Sequence, residues 1–158
     1  MANARDETVV YPFTGFNFAV EIHRGDTAAR IVTAAFAECD GLEVTMEAKT
    51  IREGGNNGML IRLASPVGYG VLALKRGMTA NRDVWDWMED LVADPRLRAD
   101  AEVVLFAADG HTEQARFIAT RCLLTKLKAP AMNAANSAVA IEEMQLAYES
   151  LSLLRSQR

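Results

Sequence analysis

The segment from Leu42 to Lys49 alternates strictly between apolar and polar side chains. Successive side chains of a β-strand point to opposite faces, so this pattern predicts a strand with one dry face and one wet face. The dry face comprises Leu42, Val44, Met46 and Ala48, and the wet face comprises Glu43, Thr45, Glu47 and Lys49. The wet face carries no histidine, no recognisable nucleophile and no ligand set. This favours a surface that meets other surfaces over a catalytic cleft.

A loop rich in glycine and asparagine follows this strand. Its residues are Arg52, Glu53, Gly54, Gly55, Asn56 and Asn57. A phosphate-binding loop needs a lysine and a hydroxyl residue after its last glycine and then a helix, whereas Met59, Leu60 and Ile61 follow here. We therefore expect residues 52–57 to form a flexible loop that becomes ordered against a neighbouring subunit.

Similar apolar segments recur along most of the chain and predict further strands. We expect strands at 16–22, 30–38, 42–49, 59–63, 69–75, 101–107, 113–128 and 137–148. Turns are expected at Cys39-Asp40-Gly41 and Ser65-Pro66, and Asp109-Gly110 predicts a two-residue hairpin turn because glycine accepts a positive φ.

The alternation slips inside the last predicted strand. Val139 and Ile141 share one face, but Met144, Leu146 and Tyr148 share the other. The slip falls at Glu142-Glu143. It predicts either a β-bulge or a strand that leaves one sheet and joins another.

One helix is predicted at about residues 82–92, capped by Asn81 or Thr79 and ended by Asp94-Pro95. Its apolar arc comprises Val84, Trp85, Trp87, Met88, Leu91 and Val92. The two tryptophans flank this arc, so we expect one to reach the core and the other to lie at its margin, in position for a subunit contact. Eight or so strands with tight turns and one helix predict a mainly β fold, either a two-sheet sandwich or a barrel.

The length of 158 residues predicts a single domain, 1–158. We expect an N-terminal arm at 1–13, a flexible loop at 53–58 and a C-terminal tail at 149–158. A net charge of −4 gives no reason to expect nucleic-acid binding. The sequence has no apolar run of the roughly 20 residues that span a bilayer, so we expect no membrane anchor and assembly in the cytoplasm.

The candidates for chemistry are few. His23 and His111 are the only histidines, and His111 with Glu113 is interpreted as a solvated hairpin tip. Cys39 and Cys122 are expected to be free, buried thiols. We expect no catalytic residue, no metal site and no cofactor. The basic residues Lys75, Arg76, Lys126 and Lys128 are expected at solvated strand ends or against Glu47 or Glu142-Glu143 of another copy.

Several short motifs occur in a defined order. They are FNFAVEI from residue 16, FAECDGLE from 36, IREGGNN from 51, LKRGM from 74, VWDW from 84, and NAAN from 133 leading to VAIEE from 139. In this order they resemble the contractile phage tail tube protein family, in the branch that includes inner-tube proteins of extracellular contractile injection systems. The resemblance spans roughly residues 14–150.

The resemblance implies a split β-barrel with one flanking helix, related to haemolysin-coregulated protein. It implies a non-enzymatic subunit: six copies form a ring, and rings stack into a hollow tube inside a contractile sheath. Baseplate and terminator proteins, and cargo or genome in the lumen, are the further implied partners. On this basis the wet face, Glu43, Thr45, Glu47 and Lys49, is expected to line the lumen, and the dry face is expected to pack inward against the helix. Inter-subunit contacts are expected at 52–57, Trp85, Asn133 and Asn136.

Two alternatives remain open at this point. A small split-barrel enzyme that binds a ligand or flavin would have a pocket lined by Trp85 or Tyr69. A secreted ring protein of a type VI system would share the architecture of a tube protein.

Overall fold

The computed structural model describes residues 12–24, 30–52, 54–55, 58–135 and 137–155. Ten strands and one helix occur in these ranges. In chain order they are β1 Phe18–Arg24, β2 Arg30–Ala34, β3 Glu38–Asp40, β4 Val44–Ile51, β5 Ile61–Tyr69, β6 Val71–Gly77, α1 Asp83–Ala93, β7 Ala99–Phe106, β8 Glu113–Lys128, β9 Ile141–Ala147 and β10 Ser150–Arg155. All strand pairs are antiparallel. This confirms the predicted mainly β fold with a single helix.

The long strand β8 joins two sheets. Sheet A has the order β2-β1-β7-β8-β10 and uses the first part of β8. Sheet B has the order β3-β6-β9-β8 and uses the second part, from Leu123 to Lys128. Strands β4 and β5 form a separate two-stranded sheet. The predicted two-sheet arrangement therefore has one strand in common.

The chain passes from sheet B to sheet A at Tyr148-Glu149. Strand β9 pairs Ala147 with Leu123, and β10 pairs Ser150 with Thr120, so the register along β8 is unchanged across this corner. At this corner Arg121 has a φ of 52°, in the left-handed region. The chain does change sheet, as one of the two predictions had it. The change occurs at Tyr148-Glu149 and not at Glu142-Glu143, where the sequence pattern had placed it.

Glu142 explains the slip in the sequence pattern. Strand β9 pairs with β6 without a register shift, so there is no bulge at Glu142-Glu143. Glu142 lies on the buried face with Met144 and Leu146, because Arg76 of β6 neutralises its charge. The strand begins at Ile141, not at residue 137. The range expected to be a C-terminal tail, 149–158, contains β10.

Other predicted boundaries need correction. The segment 30–38 is not one strand, since β2 ends at Ala34 and Cys39 lies within β3. Strand β5 continues through Ser65-Pro66, which was expected to break it. The register shifts between Met46 and Ala48, so Glu47 lies opposite both Ser65 and Pro66. Such a bulge accommodates proline, which has no N–H to donate to a ladder.

The Asp109-Gly110 hairpin is confirmed, but its predicted two-residue turn is wrong. The N–H of Ala107 donates to the carbonyl of Thr112 at 2.8 Å, which leaves four residues, 108–111, in the connection. Asp109 accepts hydrogen bonds from the N–H groups of His111 and Thr112, at 2.9 Å each. A hydrogen bond from the Thr112 hydroxyl, together with these two backbone bonds, lowers the pKa of Asp109 to about 2.

The core lies between the two sheets and under α1. From the sheets it contains Val20, Ile22, Ala101, Ala119, Leu72, Leu74, Met144 and Leu146, and from the helix Val84, Trp87 and Leu91.

Trp85 is half-buried, so one tryptophan reaches the core and the other lies at its margin, as predicted. Val92 is exposed, contrary to the predicted arc, because it lies about 140° around the helix from Trp87. The N-cap residue of α1 is Arg82, which makes no side-chain capping bond, whereas Asn81, one residue earlier, accepts the N–H of Asp83 at 2.9 Å.

Candidate functional site

The hairpin formed by β4 and β5 stands apart from both sheets. Among the described strands, β4 and β5 pair only with each other. At its root, the N–H of Gly70 donates to the carbonyl of Glu43 at 3.1 Å. An isolated two-stranded hairpin is marginally stable in water. The stability of this hairpin therefore depends on the contacts at its root and on any molecule that packs against its strands.

Tyr148 holds that root. Its hydroxyl oxygen accepts the N–H of Glu43 at 2.9 Å and lies 2.8 Å from the carbonyl oxygen of Gly41 and 3.0 Å from that of Glu43. The Tyr148 ring also packs against Tyr69, with ring centroids 5.8 Å apart. The phenol thus joins the end of β9 to both strands of the hairpin.

The backbone packs closely at the same root. A Cβ on Gly41 would lie 1.9 Å from the carbonyl oxygen of Val71, and the φ of Gly41 is +94°. A Cβ on Gly70 would lie 2.9 Å from the carbonyl oxygen of Gly41. Glycine is required at Gly41 because any side chain would occupy the space of the β6 backbone.

The dry face predicted for β4 does not pack inward. Every residue of β4 is exposed, including Val44 and Met46, which are 53% and 57% accessible. Residues directly opposite in an antiparallel pair share a face, so Met46 lies beside Val67 of β5. We call this surface the apolar hairpin face: Val44, Met46, Ala48, Ala64 and Val67. The expectation that it packs against α1 is wrong.

The predicted wet face is exposed as well. Glu43, Thr45, Glu47 and Lys49 all face solvent and share one side by strand alternation. The Thr45 hydroxyl donates to the carbonyl of Gly68 at 3.3 Å. This side offers two carboxylates, one ammonium and one hydroxyl to whatever it meets.

The predicted inter-subunit residues are spread over the molecule. Arg52, Gly54 and Gly55 are exposed at the hairpin tip. Asn133 lies in the connection between β8 and β9, where its side-chain oxygen accepts the N–H of Ala135 at 3.0 Å. Trp85 already donates its indole N–H to Glu142 within the chain, at 3.2 Å. Glu53, Asn56, Asn57 and Asn136 lie outside the described residues.

Sequence reasoning missed the burial of Arg76 and Glu142. Both were expected at the surface, as charges for solvent or for another copy. Each is instead 2% exposed, and they form an ion pair with each other. The signal was present in the slipped alternation, which places Glu142 on the face of Met144 and Leu146.

The outward side of sheet A carries a second charge network. Arg116 pairs with Glu102 of β7 and with Glu113, the latter at 2.7 Å. Hydrogen bonding to Arg116 lowers the pKa of Glu113. Glu113 is therefore engaged with Arg116 and is poorly suited to act as a general base beside His111.

Within the described ranges, no three His, Cys, Asp or Glu side chains lie close enough together to hold a metal ion.

A surface groove of about 250 Å³ lies between α1 and the β1–β2 end, lined by Arg24, Arg30, Ile31, Trp87 and three aspartates. Arg24 and Asp90 pair within it at 2.5 Å. Trp85 and Tyr69, which would line the pocket of a small enzyme, do not border this groove. The one described helix does not have the length and apolarity to cross a membrane.

The exposed apolar face of the β4–β5 hairpin is typical of a surface that contacts another molecule. The chain belongs to the family of the T4-like virus tail tube protein gp19, whose model matches residues 14–152. It is a structural tube protein of the phage-tail and tail-like injection-particle class, which confirms the resemblance seen in the sequence.

Solved structures share the fold. A chain of the sixfold-symmetrised anti-feeding prophage baseplate is 23% identical, with a TM-score of 0.80, over 92% of this chain and 97% of that one. A chain of the extended sheath-tube complex of the extracellular contractile injection system PVC is 17% identical, with a TM-score of 0.80, over 94% and 95%. Hcp1 from Flavobacterium johnsoniae is 11% identical, with a TM-score of 0.51, over 87% and 96%. No curated protein sequence matches.

Proposed function

We propose that this chain is the repeating subunit of the inner tube of a contractile injection machine. Six copies form each ring, and the rings stack into a hollow tube. The observation that carries the proposal is the exposed β4–β5 hairpin on a body that matches the tail tube family over residues 14–152. Val44, Met46 and Val67 of this hairpin are exposed to solvent. An apolar surface of this kind indicates a contact with another molecule.

The edges of sheet A support closure into a ring. Among the described strands, β2 pairs only with β1, and β10 pairs only with β8. Exposed strand edges invite pairing with other chains, and a closed ring removes them. Joining β10 of one subunit to β2 of the next would leave no free edge of sheet A.

The wet side of the hairpin is our candidate for part of the lumen wall. Glu43, Thr45, Glu47 and Lys49 are exposed and hydrophilic. A wall of mixed and partly acidic charge stays hydrated and does not retain an acidic polymer. Such a lumen suits the passage of protein cargo or a genome.

The remaining assignments follow from this role. Residues 52–57, Trp85 and 133–136 would contact neighbouring subunits. A sheath protein would surround the tube, and baseplate and terminator proteins would close its ends, in keeping with the sheath-tube and baseplate structures that share the fold. The subunit would be made in the cytoplasm, would need no cofactor and would catalyse no reaction.

Electron microscopy of the chain, alone and coexpressed with its baseplate and sheath proteins, tests the proposal. We expect rings and tubes with sixfold symmetry and a continuous central channel. A strictly monomeric particle under every one of these conditions would contradict it.

A further inference from the structure

The methionines of the described part of the chain fall into two groups by exposure. Met144 of β9 lies in the core and is 1% exposed, and Met88 of α1 packs against that core and is partly buried. The other four are between 46% and 88% exposed: Met46, Met59, Met78 and Met132. The free subunit therefore offers four methionine side chains to small reagents in solution.

The four exposed methionines lie off the two main sheets. Met46 is in β4 and Met59 in the connection from β4 to β5, while Met78 follows β6 and Met132 lies between β8 and β9. The same segments carry further exposed apolar side chains: Leu60, Leu63, Val67 and Val139. Exposed apolar clusters indicate contact surfaces, and the flexible thioether of methionine is common on surfaces that adapt to a partner.

The backbone holds two of these methionines in place within the subunit. Met46 is directly opposite Val67 in the β4–β5 ladder, so the two side chains share a face. The N–H of Met78 donates to the carbonyl of Ala140 at 2.8 Å, next to the exposed Val139. A chemical change at either sulfur therefore alters the outer surface and leaves the hydrogen bonds of the fold in place.

A peroxide converts an exposed methionine into its sulfoxide. The thioether sulfur attacks one oxygen of hydrogen peroxide, and an S–O bond forms as the O–O bond breaks. The sulfur loses one electron pair, which the peroxide gains, and the second oxygen leaves as water after protonation. The sulfoxide is polar where the thioether was apolar, so burying it against an apolar partner carries a desolvation cost.

The thiols of the chain compete poorly for the same oxidant. Peroxide reacts with the thiolate form of cysteine. Burial raises the pKa of Cys39 to about 11 and of Cys122 to about 12, so both remain protonated near neutral pH. Cys122 is also fully buried. Among the sulfur-containing side chains, peroxide should therefore act first on the exposed methionines.

We propose that the four exposed methionines are modification sites that make tube assembly sensitive to peroxide. Their oxidation leaves the subunit folded but makes its contact surfaces polar, so the oxidised subunit does not join a growing tube. The inference rests on the proposed function, because it concerns the entry of a free subunit into the tube. Reduction of the sulfoxides by methionine sulfoxide reductases restores the apolar surfaces, so the block is reversible.

Peptide mass spectrometry of the free subunit after exposure to hydrogen peroxide tests the choice of sites. We expect the mass gain of one oxygen at Met46, Met59, Met78 and Met132 well before any gain at Met144. The melting temperature should stay unchanged at that point. Oxidation of Met144 as early as the exposed group, or unfolding of the treated subunit, would overturn the proposal.

Assembly of the treated subunit on its purified baseplate, followed by electron microscopy, tests the consequence. Oxidation should lower the yield of tubes by roughly tenfold or more, since a contact weakened by about 1.4 kcal/mol forms tenfold less readily. Treatment with methionine sulfoxide reductases should restore the yield. Tubes that are first assembled and then treated should persist, because the contacts already cover part of the set.

A variant with all four exposed methionines changed to leucine separates this effect from general damage. Leucine keeps an apolar side chain of similar size and has no sulfur, so the variant should assemble with or without peroxide. Met88→Leu is the matched control and should remain as sensitive as the unmodified chain. Equal sensitivity of the four-leucine variant, or normal assembly of the oxidised subunit, would overturn the proposal. If the untreated chain formed no ring or tube, the proposed function itself would fail.

Discussion

The Arg76 guanidinium and the Glu142 carboxylate form an ion pair inside the body, with side chains only 3% and 1% exposed. The second carboxylate oxygen of Glu142 accepts the indole N–H of Trp85 at 3.2 Å. The guanidinium also lies 6.0 Å from the ring centroid of Phe36. One carboxylate therefore connects β6, β9 and α1.

Glu142→Ala is expected to destabilise the subunit by about 3–5 kcal/mol, because it leaves the Arg76 charge buried without a partner. Denaturant unfolding of the purified subunit measures this. The double variant Arg76→Met with Glu142→Leu should recover most of the loss, since apolar side chains of similar size avoid the desolvation of both charges. Glu143→Ala, one residue away, is the control and should change little. A single variant as stable as the unmodified chain would show that the pair is dispensable.

Gly41→Ala is expected to prevent correct formation of the hairpin root. Its Cβ would lie 1.9 Å from the carbonyl oxygen of Val71, and its φ of +94° disfavours any side chain. We expect a loss of about 2 kcal/mol or more, since the backbone of β6 must move. Gly54→Ala is the matched control, because nothing lies within 4 Å of the Cβ position there. Equal stability of the two variants in thermal unfolding would contradict the close packing at Gly41.

Local patterns predicted most elements of this fold. Strand β8 matched its predicted bounds of 113–128, and α1 begins and ends within one residue of its prediction. These segments bury one face within the subunit, so their periodicity reports their own packing. The family motifs, in their order along the chain, predicted the class of assembly.

Pairings between distant segments could not be predicted from the sequence. The burial of Glu142 depends on Arg76, 66 residues away, and periodicity alone cannot recognise a charge neutralised in this way. The apolar face of β4 was expected to be buried, and within the subunit it is exposed. The alternation of apolar and polar residues in β4 is explained if another copy of the chain covers this apolar face. Such a contact between copies cannot be read from the pattern of one chain.

The two thiols predict a loss of stability in alkaline solution. Burial raises the pKa of Cys39 to about 11 and of Cys122 to about 12, from an ordinary value of 9.0. Between pH 9 and 11 the unfolded chain releases these protons while the folded chain retains them, so stability falls as pH rises. We expect on the order of 1 kcal/mol per pH unit for each thiol.

Denaturant midpoints between pH 8 and 11 measure this slope. The double variant Cys39→Ala with Cys122→Ala is the control and should show a flatter dependence on pH. At pH 8 the native thiols should react slowly with iodoacetamide and quickly after unfolding. Rapid labelling of the folded chain would show that the thiols are ionised or accessible.

Tyr148→Phe should loosen the hairpin while leaving the body folded. The substitution keeps the ring that packs against Tyr69 but removes the hydroxyl that contacts Gly41 and Glu43 at 2.8–3.0 Å. It leaves the Glu43 N–H without its hydroxyl acceptor, at an expected cost of about 1–3 kcal/mol. Amide hydrogen exchange should accelerate in β4 and β5, since the hairpin then opens independently of the sheets, and should stay slow in β7 and β8.

Tyr69→Phe is the matched control for this experiment. Tyr69 contributes its ring to the same contact, but its hydroxyl makes no hydrogen bond to the described residues. Its removal should therefore leave exchange in the hairpin unchanged. Since the hairpin tip is proposed to contact neighbouring subunits, Tyr148→Phe should also shorten tubes and Tyr69→Phe should not. Equal exchange in the two variants would show that the Tyr148 hydroxyl does not hold the hairpin.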